Sequence, residues 1–238
     1  MESHFLNAEW NNLIMANYPV PPEVLLPYVP KNTELDFFGG KTYVSLVGFM
    51  FLNTKMLGLS IPYHSNFEEV NLRFYLKHNN NGNWMRGVGF IKEIVPKPAI
   101  TLVANNLYGE KYATMKMKHS FHEAPDYLET GYEWRFKNKW NKISAISKTT
   151  SLPMRIGSEE EFIAEHYWGY TKVNDDKTYA YEVKHPRWEI FHVTDYVIHC
   201  DFSGLYGKEF SFLKDAKPSS IFMAKGSEVK ICHKTTLQ

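Results

Sequence analysis

The chain has 238 residues, 44% hydrophobic and 22% charged, with a formal net charge of +1. That balance supports a sizeable core and excludes the broad basic footprint of a nucleic-acid or anionic-lipid binder. Two cysteines, Cys200 and Cys232, stand outside any CxxC pair, which excludes a disulfide scaffold and predicts a reduced intracellular compartment.

The first segment, MESHFLNAEWNNLIMANYPVPP, lacks the basic stretch and long apolar run of a signal peptide. No apolar run approaches the roughly 20 residues that cross a bilayer, so a cytoplasmic protein with no membrane partner is expected. Pro27 limits EVLLPYV to a short helical turn. TELDFF, a Gly39-Gly40 turn and KTYVSLVGFMFL read as a hairpin. NFEEVNLRFYLK alternates cleanly and meets WMRGVGFIKEIV through the polar turn HNNNGN. VPKPAITLVANNLYG predicts a helix, with Pro98 in its first turn and Gly109 as its stop.

KYATMKMKHSF returns to strand, followed by YLETGYEWRFK and KISAISKT. Ser158 begins a capping-box helix, SEEE, which is expected to run through EFIAEHYW. YTKV-NDDK-TYAYEVK predicts another hairpin, WEIFHVTDYVIHCDF a strand and FSGLYGKEFSFL a short helix. SSIFMAK-GS-EVKICHK is expected to close the chain as a hairpin. The aromatic load, 16 Phe, 15 Tyr and 6 Trp, leans the same way, toward strands. With neither linker nor repeat, residues 1–238 are expected to form one α+β domain on a closed or strongly curved sheet.

Alternation within FEEVNLRFYL places Glu69, Asn71 and Arg73 in one row with Phe67 and Tyr75. Such a row binds a polar ligand group or satisfies itself, and Glu69 and Arg73 are expected to meet directly or through Asn71. Lys111 is the one lysine of KYATMKMK that sides with Ala113, Met115 and Met117, so it is the lysine an apolar pocket would hold. His166 sits among aromatics near the end of the second helix, either a polar pocket group or a structural helix-end histidine. The remaining histidines and cysteines lack ligand spacing, so neither a metal nor a cofactor is expected. RFKNKWNK mixes base and aromatic, but Arg135 and Lys137 alternate with Trp134 and Phe136, which predicts a wet and a dry face rather than nucleic-acid binding.

NYPVPPEVLLPYVP, TYVSLVGFMF, FEEVNLRFYL, GVGFIKEIV, LYGEKYATMKM and EEFIAEHYWGY, in this order, resemble the YqjF-like bacterial family of unknown function. The resemblance runs from about Trp10 to the end of the chain. Through that family the chain looks like a branch of the acetoacetate decarboxylase-like fold, which implies a mainly antiparallel conical β-barrel, a few short helices and an internal cavity. The decarboxylase uses tandem lysines after Tyr-Pro: the first forms a Schiff base and the second lowers its pKa. Its active-site glutamate lies on a strand resembling FEEVNL, at the position of Glu69.

Here Tyr108-Gly109-Glu110-Lys111 replaces Tyr-Pro-Lys-Lys, so the nucleophile position carries Glu110 and only the second lysine is kept. A neighbouring carboxylate favours the ammonium, the wrong direction for a nucleophile. The resemblance thus implies an internal cavity with Glu69, Asn71 and Arg73 as its polar groups and Lys111 and Glu110 near its mouth. His166 is a further ligand-binding candidate, and a small hydrophobic or keto-acid-like molecule is the expected ligand. Two alternatives remain: a lyase in which Lys111 attacks a keto acid, with Glu69 in support, and a filled barrel that acts as an interaction module.

Overall fold

The computed structural model describes residues 4–237. Strands dominate it. In chain order they are β1 (Leu6–Val20), β2 (Glu34–Leu35), β3 (Thr42–Met56), β4 (Leu59–Ser60), β5 (Phe67–Asn80), β6 (Asn83–Val95), β7 (Tyr112–Thr114) and β8 (Met117–Glu123). There follow β9 (Leu128–Phe136), β10 (Lys139–Pro153), β11 (Trp168–Lys172), β12 (Thr178–Lys184), β13 (Glu189–His199), β14 (Ser220–Ile231) and β15 (Thr235–Leu237). The short helices are α1 (Pro22–Leu25), α2 (Pro98–Val103), α3 (Glu159–Ala164) and α4 (Phe202–Tyr206).

All the strands join one sheet, and a pairing of β12 with β14 closes part of it into a ring. The ring runs β12, β11, β6, β5, β3, β1, β14 and back to β12. From β14 the sheet continues through β13, β10, β9 and β8. Tyr132 of β9 and Ile143 of β10 press on Gly48 of β3, so this continuation covers the outside of the ring. Most pairings are antiparallel, but β6 pairs in parallel with both β11 and β7. The sheet is therefore mixed rather than purely antiparallel.

This double layer explains why TYVSLVGFMF reads as a continuous apolar run, because β3 is buried on both faces. On β5, Val70, Leu72, Phe74 and Leu76 join Tyr132, Trp134 and Ile143 in the core between the layers. Phe67 and Tyr75 belong to a second core with Val47, Phe49 and Phe51. The row holding Glu69, Asn71 and Arg73 therefore faces the interior of the ring.

The hairpins β5–β6 and β11–β12 form as the alternation predicts. Helix α2 continues as a wider turn over Ala104–Tyr108, and Gly109 ends it in the left-handed region at φ 71°. Ser158 Oγ caps α3 by accepting from the Glu161 N–H, but this helix stops at Ala164. Glu165–Tyr167 form the connection to β11, so His166 lies on a link rather than at a helix end.

Three expectations are corrected. TELDFF forms no hairpin with β3 beyond one bridge, Phe38 to Lys41, because β2 pairs with β5. KYATMKMKHSF is two strands: Tyr112–Thr114 follows β6 in parallel, and Met117–Glu123 pairs with β9. The final Gly-Ser is not a turn, for β14 runs straight through it and pairs with β1 on both sides. There Gly226, at φ 87°, lies against the Trp10 carbonyl. The strand β1 itself carries little alternation in LNAEWNN and is legible only in the structure.

Candidate functional site

Every strand of the ring contributes to an inner chamber of about 60 Å³. Trp10 of β1, Phe49 of β3, Glu69, Asn71 and Arg73 of β5, and Glu93 of β6 line it, with residues of β11, β12 and β14 completing the wall. An outer chamber of about 130 Å³ adjoins it and shares Phe51, Glu93, Tyr112, Tyr181 and Ile231. Beyond these, Leu6, Met56, Ile100 and Val103 make the outer chamber apolar, and Glu110 projects into it.

Three carboxyl groups meet near the shared wall. Glu69 accepts from Asn71 Nδ2 and from the Tyr112 hydroxyl, both at 2.9 Å. Glu110 accepts from Thr171 at 2.7 Å and from Tyr181 at 2.8 Å, both at Oε1. Glu93 is 2% exposed, and its Oε2 has no hydrogen-bond partner among the described residues.

Local structure aims these groups. The Asn105 amide receives the Tyr112 N–H and donates to its carbonyl, which ties the end of the α2 turn to the start of β7. Parallel pairing then sets Tyr112 opposite Glu93. Across β11–β12, Tyr181 faces Gly169. A Cβ on that glycine would stand 2.2 Å from the tyrosine ring, so only glycine lets Tyr181 lie flat and reach Glu110.

Burial raises all three acids, since the charged form loses its water. Glu69 is pushed up to about 7, with Asn71 and Tyr112 opposing the shift and Glu110 adding to it. Glu93 is raised well above the carboxylate range by burial and by the charges of Glu110 and Glu69. Glu110 also rises through burial, despite the bonds from Thr171 and Tyr181. An acid balanced near neutrality can give or take a proton at a bound molecule.

Arg73 lines the same chamber without an ion pair to Glu69. It donates from Nη2 to the Ile163 carbonyl at 3.1 Å and from Nε to the Tyr75 hydroxyl at 3.4 Å. The expected Glu69–Arg73 contact is thus replaced by two separate anchors, because α3 brings a carbonyl within reach of the guanidinium. Arg73→Met should cost about 1–3 kcal/mol in urea unfolding by leaving that carbonyl without its donor. Arg135→Met, whose partner is Asn138 on an exposed hairpin turn, should stay within about 0.5 kcal/mol.

His166 is buried, with Nε2 3.1 Å from Asp36 Oδ2 and Nδ1 without a partner among the described residues. Burial lowers its pKa to about 4, so the ring is neutral at pH 7. Asp36, pushed up by burial, is held below the usual carboxylate range by bonds from His166 and Arg86. With Asp36 accepting, the His166 proton lies on Nε2 and Nδ1 is a bare acceptor.

Lys111 is on the other side of β7. It is exposed, and its amine lies 5.2 Å from the centre of the Tyr28 ring. Burial of the amine end lowers its pKa, while Glu110 beside it acts in the opposite direction. It lines neither chamber, only a crevice with Tyr28, Tyr170 and Lys172. The break between β7 and β8 resets the alternation, so the face shared with Met115 and Met117 does not carry Lys111 inside. Sequence reasoning misses Glu93, Tyr112 and Tyr181. Alternation along β6 does not reveal Glu93, because a bulge at Ile91 shifts the phase and sets Val88, Phe90 and Glu93 on the chamber side.

The ring and its outer layer form a fold seen in solved structures. Acetoacetate decarboxylase from Legionella pneumophila aligns with a TM-score of 0.64 and 13% identity, over 98% of this chain and 87% of that one. MppR, an enduracididine biosynthesis enzyme complexed with pyruvate, aligns with a TM-score of 0.69 and 11% identity, over 100% and 92%. At such identities the likeness shows an acetoacetate decarboxylase-like fold. Residues 7–228 match the family model DUF2071, described as an uncharacterized conserved protein, and the chain belongs to that family. The protein YqjF of Bacillus subtilis (strain 168) is 26% identical over 187 residues, 77% of this chain and 74% of that protein.

No helix is long and apolar enough to cross a membrane. Among the described residues, no group of three or more His, Cys, Asp or Glu side chains is arranged to hold a metal ion.

Proposed function

We propose that the chain binds a small molecule inside the ring, which acts as a conical β-barrel around the two chambers. One observation carries this reading: four buried polar atoms without partners among the described residues, Trp10 Nε1, Asn71 Oδ1, Glu93 Oε2 and His166 Nδ1, belong to residues lining one chamber. Buried polar groups are almost always paired, and an orphan costs about 1–3 kcal/mol. A chamber with four of them has the composition of a binding site rather than of a filled core. The interaction-module alternative is weaker for the same reason.

The test is a thermal-shift screen of small metabolites, repeated with Tyr112→Phe and Asn71→Leu. Specific ligands should raise the melting temperature of the parent and lose that effect in both variants. A shift unchanged in either would place binding elsewhere.

The lyase alternative requires an amine in the cavity. Lys111 stands outside both chambers, and Glu110 occupies the interior position next to it. Incubation with acetoacetate followed by borohydride should therefore leave the intact mass unchanged. A single adduct mapped to Lys111, and absent in Lys111→Arg, would establish Schiff-base chemistry instead.

A further inference from the structure

The outer chamber has a size and an end group that together select a class of ligand. Its volume, about 130 Å³, is close to the roughly 150 Å³ apolar cavity that admits benzene. Its walls are mostly apolar; the polar exceptions besides the acids and tyrosines are His64 and Thr54, whose hydroxyl has no partner among the described residues. None of the described lysines or arginines lines it. It ends on Glu93, Glu110 and the rings of Tyr112 and Tyr181.

The donors at that end are already committed. The Tyr112 hydroxyl is given to Glu69, and the Tyr181 and Thr171 hydroxyls are given to Glu110. Acceptors remain without donors: Glu93 Oε2 at the wall, with Asn71 Oδ1 and His166 Nδ1 on the inner chamber behind it. Asn71 and Glu93 are each 2% exposed, so water outside the fold does not serve them. Trp10 Nε1 is the opposing donor, and it lies on the inner chamber.

The formal charges that line the outer chamber are all acidic. Glu69, Glu93 and Glu110 act on one another. Arg73 reaches only the inner chamber and is tied to the Ile163 carbonyl. Lys111 and Lys172 line the crevice outside, which Glu110 also borders. The Lys111 charge acts on Glu110 and Glu93 from there, but neither lysine lines the chamber.

We propose, on the basis of the binding reading above, that this cavity takes an organic cation: a primary ammonium carried on an apolar body about the size of one benzene ring. The body fills the outer chamber, and the ammonium donates to Glu93 and Glu110. Its three N–H groups reach Glu93 Oε2 and the neighbouring carboxyl oxygens, and its charge offsets the cost of ionising acids that burial disfavours as anions. The proton displaced from the acid pair leaves to solvent as the ammonium enters. A keto acid would instead hold all three acids in their protonated form, because ionising any of them sets a carboxylate against its own, and Arg73 on the inner chamber would be its sole cation.

Three probes of one shape test this: benzylammonium, benzyl alcohol and benzoate, titrated by calorimetry into the full chain in two buffers of different ionisation heat. Benzylammonium should bind at least about tenfold tighter than benzyl alcohol, and benzoate more weakly than either. Its binding should release protons, seen as a buffer-dependent heat, and should tighten as pH rises from 5.5 to 8. Glu93→Gln should still bind benzyl alcohol but reduce the preference for the cation to less than about threefold.

Equal or tighter binding of benzyl alcohol or benzoate would overturn the cation proposal and leave the small-molecule reading intact. No binding of any probe at millimolar concentration, with no change in the Tyr112 and Tyr181 ring resonances, would overturn both. Should Glu93→Gln fail to fold, the proton release of the parent chain decides alone, and its absence counts against the proposal.

Discussion

Gly226→Ala should lower the unfolding free energy by about 3–5 kcal/mol, from a forced left-handed conformation and a steric clash together. Gly226 sits at φ 87°, and an ideal Cβ there would lie 1.7 Å from the Trp10 carbonyl oxygen and 2.8 Å from Leu13 Cδ1. The first contact cannot relax cheaply, because the obstacle is the backbone of the paired strand. The register of β1 on β3 shifts between Asn11 and Ile14, and Asn12 is itself at φ 56°. The two strands thus bend together where Trp10 turns toward the inner chamber. Gly39 is the control: its φ is 56°, but nothing lies within 4 Å of the point a Cβ would occupy, so Gly39→Ala should cost only about 1 kcal/mol. Urea unfolding of both variants measures the difference, and equal losses would show that the β1–β14 contact is not as close as described.

The second large effect is on stability against pH. Glu69, Glu93 and Glu110 all have folded pKa values above those of the unfolded chain. Where they are protonated the fold holds more protons than the unfolded chain, so stability is lost as pH rises through the folded values. For Glu69, raised from 4.5 to about 7, the loss is on the order of 3 kcal/mol once it is fully ionised.

His166 acts in the opposite sense at lower pH. Its value falls from 6.5 to about 4, so the unfolded chain takes up protons first and stability falls as pH drops through that interval. The two slopes oppose each other below pH 6.5, and only the carboxyl slope remains above it. Between pH 4.5 and 6.5 the Glu69 and His166 slopes cancel and those of Glu93 and Glu110 remain, so the unfolding free energy should be highest near pH 5 and decline toward pH 9. Glu69→Gln should flatten the decline and be the more stable protein at pH 9. A parent curve flat from pH 6 to 9 would mean that the acids are ionised and solvated.

Much of this arrangement is legible in the chain. FEEVNLRFYL yields the right two faces because β5 is regular and buried on both sides, and alternation survives wherever pairing is continuous. The Ser158 cap and the Gly109 stop mark helix boundaries through local chemistry that tertiary packing does not alter. Alternation puts Lys111 on the wrong face because it precedes β7, which starts at Tyr112 and breaks after Thr114, and such breaks leave no composition signal. The final Gly-Ser reads as a turn for a related reason. Glycine serves a tight turn and a close strand crossing equally, and only the Trp10 carbonyl distinguishes them. Tyr112 and Tyr181 are hidden among many aromatics, since their role depends on partners distant in the sequence.

That two buried acids, Glu69 and Glu93, and the half-buried Glu110 form the wall of a ligand cavity is tested most directly by nuclear magnetic resonance titration of the glutamate side-chain carboxyl carbons. With assignments from Glu69→Gln, Glu93→Gln and Glu110→Gln, the account predicts that these three glutamates titrate above the usual carboxylate range, Glu69 near 7, and that benzylammonium shifts the Glu93 and Glu110 signals. If all three instead titrate near the ordinary value of 4.5 and none responds to the probe, the acids face bulk water and the account is contradicted.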